Sequence, residues 1–161
     1  MMSWLTGLFG PGTAAVVPAT GRDALRLAQL HGASFHRGWG EGEFDSMLAE
    51  RNTLIQLLQM KRKIIGFVVS RIAADEAEIL SIAIDPGYRG RGLSRNMLLT
   101  HLGHLAGRGV QKVFLEVEEN NQPARRLYEQ TGFAVVGRRE RYYRQSGAEH
   151  LNALLMRRDL S

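Results

Sequence analysis

The succession of apolar runs predicts an α/β chain of the mixed α+β kind. One strand is followed by two helices, three strands, then helix, strand, helix and two more strands. Three observations carry that reading. Residues 53–84 hold three consecutive Ile- and Val-rich runs parted by short charged turns, as hairpin strands are. The segments 93–106 and 122–130 each open on turn or cap residues and continue in a helical pattern. The chain has 161 residues and no repeat, which suits a single core, since domains commonly hold about 100–150 residues.

Residues 1–13 carry Trp4, Leu5, Leu8 and Phe9 but lack a basic start and a long apolar stretch, so they do not read as a signal peptide. They are expected to be a tail, or a small apolar clip for a partner, ahead of one domain over 14–161. A short strand is expected over 14–17. Thr20 and Asp23 stand three apart, as a capping pair does, before a helix over 21–32. Its expected apolar side is Ala24, Leu25, Leu27, Ala28 and Leu30. Gly32, Gly38, Gly40 and Gly42 mark a loop, and a helix over 43–50 bears Phe44, Met47 and Leu48. Strands follow over 53–60, 64–72 and 76–84, with Lys61-Arg62-Lys63 turning between the first two. The 93–106 helix ends at Gly107 and Gly109. Residues 113–118 read as a strand, 122–130 as a helix, 133–142 as a strand and about 150–157 as the last strand, across a turn at 145–148.

Composition narrows the classes of function. With 44% hydrophobic and 23% charged residues the chain is an ordinary globular protein. It has no cysteine, which excludes disulfides, a thiolate nucleophile and an iron–sulfur cluster; a cytoplasmic location is expected. The apolar runs are well short of the ~20 residues a membrane span needs, so no membrane partner is expected. The net charge of +5 raises a nucleic-acid partner. The arginines are scattered, however, over 89–95, 125–126, 138–144 and 157–158, without a basic run interleaved with aromatics. Nucleic acid is therefore expected as an indirect partner if at all.

The most informative stretch is 85–98, Asp-Pro-Gly-Tyr-Arg-Gly-Arg-Gly-Leu-Ser-Arg-Asn-Met-Leu. Gly90 and Gly92 let the backbone approach a ligand without a Cβ in the way. N–H groups converge at the helix start around Leu93 and Ser94, where the dipole favours an anion. Arg89, Arg91 and Arg95 add fixed positive charge. That chemistry suits a pyrophosphate; a solvated basic turn is the plain alternative. The nucleotide-binding Gly-x4-Gly-Lys pattern is absent, and Gly90-Arg91-Gly92-Leu93-Ser94-Arg95 fails the dinucleotide fingerprint at its last position.

Arg89-x-x-Gly92-x-Ser94 resembles the Arg/Gln-x-x-Gly-x-Gly/Ala loop of the GNAT acetyltransferase superfamily, with Ser94 in place of the usual Gly or Ala. Residues 113–133 resemble its second half: a strand, then Asn121-x-x-Ala124-x-x-Leu127-Tyr128, then Gly132-Phe133. The likeness is tightest with the RimI-type branch, which acetylates the N-terminal alanine of a ribosomal protein. It shares the Leu115-Glu116-Val117 strand and the Arg141-Tyr142-Tyr143 segment, and it covers about residues 14–160. The resemblance implies the GNAT fold, a mostly antiparallel sheet of six to seven strands flanked by about four helices. It implies acetyl-CoA as cosubstrate and a protein or peptide N-terminus as acceptor; no metal is expected, and with no cysteine nucleophile direct transfer within a ternary complex is expected. The pyrophosphate would lie on Arg89, Gly90, Arg91, Gly92, Leu93, Ser94 and Arg95, and the pantetheine along the backbone of Ile82, Ala83 and Ile84 and against Asn121. The same catalysis on a small amine or a lysine side chain, and an acyl-CoA-binding regulatory protein, are the rival readings.

Acetyl transfer to an amine calls for a base, oxyanion donors and an acid for the leaving thiolate. Glu116 interrupts an apolar strand, where burial would raise its pKa; the resemblance puts the base there, and a solvated strand face is the alternative. Tyr128 sits on the second helix, where the resemblance puts the acid; a core aromatic is the alternative. Asn121 also suits an N-cap ahead of Pro123. His101 and His104 share a helix face but lack a third ligand, and are expected to face solvent. Glu118 and Glu119 could steer a cationic N-terminus, and Tyr142 and Tyr143 could close over it.

Overall fold

A computed structural model describes residues 14–35, 38–140 and 152–160. The tail at 1–13, the Arg141-Tyr142-Tyr143 segment and the turn at 145–148 lie outside the described residues. Seven strands form one sheet: β1 (Ala15–Pro18), β2 (Thr53–Met60), β3 (Lys63–Ala73), β4 (Glu76–Ile84), β5 (Lys112–Glu118), β6 (Ala134–Arg139) and β7 (Ala153–Asp159). Their order is β1-β2-β3-β4-β5-β7-β6. Every pairing is antiparallel except β4 with β5. Four helices flank it among the described residues: α1 (Ala24–Ser34), α2 (Glu41–Ala49), α3 (Leu93–Gly107) and α4 (Gln122–Gln130). This is the expected mostly antiparallel sheet with its four helices.

Local chemistry sets the boundaries. Thr20 and Asp23 form the expected capping pair, the Thr20 N–H donating to Asp23 Oδ2 at 2.7 Å. The chain first makes a 3-10 turn over Gly21–Asp23, and α1 follows. Lys61 and Arg62 turn β2 into β3 with φ of 47 and 67, the mirror-image turn whose twist matches a hairpin.

The helices cover both faces of the sheet. One face packs Leu58, Ile65, Met97, Leu98, Leu105, Leu115 and Met156 under α3 and α4. The other packs Leu27, Leu30, Phe44, Phe67 and Val69 under α1 and α2. Burying each such side chain contributes roughly 1.5–3 kcal/mol relative to leaving it in water. Coverage on both sides explains why β2 and β3 are apolar without alternation. Leu25 is not part of this core: it is 54% exposed, and the inward face of α1 is Ala24, Leu27, Leu30 and His31.

His101 departs most from expectation. It is fully buried, not solvent-facing. Its Nδ1 lies 2.7 Å from Gln56 Oε1, which can only accept, so Nδ1 carries the proton. Nε2 then accepts from the Ser70 hydroxyl at 2.7 Å. Gln56 in turn donates from Nε2 to His104 Nδ1. Burial, helped by His104 and Arg108, pushes the His101 pKa down to about 3, so the ring is neutral. Helical spacing gave the face it shares with His104 but not which side of α3 meets the sheet.

The feature that positions the site is where β4 and β5 part. They pair only at Glu76↔Lys112, Ala77↔Val113 and Glu78↔Phe114. Meanwhile β4 stays on β3 as far as Gly66↔Ile84, and β5 stays on β7 as far as Glu118↔Ala153. Beyond Glu78 the sheet therefore opens between residues 79–84 and 115–118. A bulge adds to the bend: Val69 faces Ser81 and Ser70 faces Ile79, which leaves Leu80 unpaired.

Candidate active site

A cleft of about 1080 Å³ fills the opening. Its walls are residues 79–84 of β4 and 115–118 of β5, its floor is Asn121 and α4, and its mouth is the 88–95 loop with Ser34 and Phe35. Past Glu78 the β5-facing edge of β4 has no strand partner, so the backbone of Ile82, Ala83 and Ile84 presents hydrogen-bonding groups to a ligand.

The loop is built by local bonds. Asp85 caps a 3-10 turn over Pro86–Tyr88, its Oδ1 accepting from the Gly87 N–H at 3.0 Å. That N–H, then the Arg26 hydrogen bond and the Lys63 charge, outweigh burial and hold the Asp85 carboxyl below the usual range. Arg26 reaches Asp85 Oδ2 at 3.0 Å and the Ile64 carbonyl at 2.8 Å, tying α1 to the start of the loop. Gly90 and Gly92 take φ of 79 and 73, the left-handed region where a side chain is strained. A Cβ at either would meet nothing within 4 Å, so the need for glycine is conformational. Gly92 starts α3, and Leu93, Ser94 and Arg95 in its first turn line the cleft.

The three arginines differ. Arg89 is a strut on the wall, donating from Nε to the Ile84 carbonyl at 3.2 Å and from Nη2 to Ser34 Oγ at 3.0 Å. Arg95 is exposed on the wall. Arg91 is outside the lining, its guanidinium 5.2 Å from the Tyr88 ring centroid. At the floor, Asn121 Oδ1 accepts from the Ala124 N–H at 3.3 Å and caps α4, with Pro123 in the first turn.

Tyr128 and Glu116 approach the opening from opposite sides of the sheet. Tyr128 packs with Leu115 and Val117 on the α3 and α4 side, its ring edge-on to Phe133 at 5.9 Å. It is buried, and among the described residues its hydroxyl has no hydrogen-bond partner. Burial pushes its pKa up to about 12, so it keeps its proton at neutral pH. Glu116 alternates with Leu115 and Val117 and so faces the α1 and α2 side. The apolar burial expected for it is not what the fold provides: the side chain is 28% exposed and pairs with Arg139, Oε1 to Nη1, at 3.1 Å.

On the Glu116 side the cleft continues into a recess of about 290 Å³ walled by Trp39, Glu78, Leu80, Glu116, Glu118 and Ala153. Glu118 is exposed there, whereas Glu119 is engaged elsewhere, with Arg138 and Asn152 each at 3.0 Å. Phe35, Trp39, Glu78 and Leu80 are walls that sequence reasoning missed. The one signal was the pair of aromatics set among loop glycines.

The Acetyltransferase (GNAT) family matches residues 24–133. The chain belongs to the GNAT acetyltransferase family. It is 34% identical over 134 residues to the [ribosomal protein bS18]-alanine N-acetyltransferase of Haemophilus influenzae, covering 83% of this chain and 90% of that one. It is 37% identical to the N-alpha-acetyltransferase RimI of Mycobacterium tuberculosis, over 87% of this chain and 89% of that one. The crystal structure of the ribosomal-protein-S18-alanine N-acetyltransferase from Escherichia coli superposes with a TM-score of 0.84 at 28% identity, covering 92% of this chain and 95% of that one. This acetyltransferase therefore has its family's fold, and among its described residues no helix is long and apolar enough to cross a membrane.

Proposed function

We propose that this acetyltransferase moves the acetyl group of acetyl-CoA onto the α-amine of a protein N-terminus, with the N-terminal alanine of a ribosomal protein as acceptor, in the cytoplasm. The carrying observation is that one opening in the sheet brings Tyr128 from one side and Glu116 from the other. One relative named as a ribosomal protein alanine N-acetyltransferase and another named as an N-alpha-acetyltransferase favour a protein N-terminus over a small amine or a lysine side chain. The residues present suit acetyl-CoA: a basic loop at a helix start, an unpaired β4 edge and a cleft of about 1080 Å³.

When bound, acetyl-CoA supplies an activated thioester. The loop from Arg89 to Arg95 holds phosphate oxygens with backbone N–H groups and Arg95, while Arg91 adds charge from outside the wall. The backbone of Ile82, Ala83 and Ile84 aligns the pantetheine and offers N–H groups to the carbonyl oxygen as it gains negative charge. The amine enters on the Trp39 side, where Glu116 takes its proton directly or through a water. Tyr128, protonated on the far side, gives its proton to the departing sulfur.

Peptides beginning with a free alanine, peptides blocked at the N-terminus but carrying lysines, and a polyamine are offered with acetyl-CoA, and products are mapped by mass spectrometry. Acetyl groups on the α-amine are expected. Transfer mainly to lysine ε-amines or to the polyamine would overturn the choice of acceptor.

A further inference from the structure

His31 lies in the last turn of α1, lines neither cavity and is 4% exposed. Its ring is stacked on Phe35 at 4.4 Å and on Trp39 at 4.5 Å, and it meets Phe44 edge-on at 5.9 Å. Its Nδ1 accepts the Trp39 backbone N–H at 2.9 Å. That bond requires Nδ1 to be unprotonated. The two stacked partners belong to different walls: Phe35 lines the main cleft and Trp39 the recess beside Glu116. The connection passes close over the end of α1, since a Cβ at Gly38 would come within 3.2 Å of the Gly32 Cα.

We propose that His31 is a positioning residue for the acceptor, its neutral imidazole holding the Trp39 indole as the wall on which the chain beside the reacting amine packs. This rests on the reading of the chain as an amine acetyltransferase whose acceptor enters on the Trp39 side. His31 touches no reacting atom. It acts by fixing both the backbone and the ring plane of Trp39. A proton on Nδ1 turns the acceptor into a donor, places it against the Trp39 N–H, and removes the bond. Burial lowers the affinity of His31 for that proton, and Glu43 of α2 opposes burial. Among the described residues, the rings that meet His31 from β3 and from the connection are those of Phe67 and Trp39, neither of which carries charge. The wall is thus fixed at neutral pH and released in acid.

The chain has two tryptophans, Trp4 and Trp39, so in a Trp4→Phe background the emission reports Trp39 alone. Release of the indole from the His31 ring changes its surroundings, and its emission with them. Emission is expected to titrate with a midpoint below 6.5, and the KM for an alanine-starting peptide is expected to rise through the same range while acetyl-CoA affinity by calorimetry stays constant. His31→Phe keeps a stacked ring but leaves the Trp39 N–H without its acceptor. Its acceptor KM should be about fivefold higher or more at every pH, with acetyl-CoA affinity unchanged. His31→Gln offers an untitratable acceptor and should abolish the emission step. Emission that does not titrate, an unchanged acceptor KM in His31→Phe, or an equal loss of acetyl-CoA affinity overturns the proposal. The emission readout is independent of turnover. If the wild-type chain acetylated no peptide, the activity reading would fall, while a step that vanishes in His31→Gln would still support the contact.

Discussion

At Tyr128 the ring does the packing and the hydroxyl is left over, which is why the aromatic could be read from sequence as either core or acid. The side chain is core, and it also stands where the proposed acid would act. It belongs to the apolar cluster and lines the cleft. Glu116 was legible for a different reason. A carboxylate between Leu115 and Val117 has to face away from the core they occupy, and here that is the recess side. What sequence could not supply was its partner, since Arg139 arrives from β6 through strand pairing with β7. The two roles can be tested side by side. Glu116→Gln should lower turnover by ~10²-fold or more, with the loss shrinking at high pH where the amine is already neutral. Tyr128→Phe keeps the packing, so it should leave the thermal midpoint and acetyl-CoA affinity nearly unchanged while slowing transfer measured in a single turnover. Near-normal rates at pH 7 in either variant would remove that residue from the chemistry.

Among elements, the loop from Asp85 into α3 was the most legible, because glycine spacing and helix-start chemistry are local. The opening between β4 and β5 was not legible. It depends on a parallel pairing that stops at Glu78↔Phe114, and nothing in the strand sequences marks that stop. The bulge at Leu80 is equally silent. The loop's glycines give a clean test. Gly92 has φ of 73 and open space around it, so Gly92→Ala strains the backbone without a clash. A left-handed alanine costs about 1–2 kcal/mol, so if the strain is relieved by moving the loop, acetyl-CoA affinity should fall about tenfold. Gly103→Ala in the exposed middle of α3 is the control: it should stabilise by roughly 0.5–1 kcal/mol and leave affinity alone. Equal affinities in the two variants, measured by calorimetry, would take the loop out of the cosubstrate site.

For the whole molecule, the order of strands and helices was legible, but which histidines the two cores would enclose was not. The sheet takes one on each side, His101 under α3 and His31 beneath the α1–α2 connection. Both have their pKa lowered by burial, so the unfolded chain binds protons more readily than the folded one. The sign follows: stability is full above the ordinary value of 6.5 and declines as pH falls below it, the His101 share being exhausted near 3. Each such proton changes stability by about 1.4 kcal/mol per pH unit, so His101 alone removes on the order of 5 kcal/mol by the end of that range. The lowered carboxyls of Asp85 and Glu119 act in the same direction, but only once pH drops through the carboxylate range. Between pH 7 and 5 the urea midpoint should therefore fall steadily, on account of the histidines. His101→Leu strands the Ser70 hydroxyl and the Gln56 carbonyl, at about 1–3 kcal/mol each, so it should be less stable at pH 7.5. It also removes the titrating group, so its midpoint should fall less steeply toward pH 5. A wild-type midpoint flat over that range, or a variant with an unchanged slope, would show that His101 does not set the acid limit of the fold.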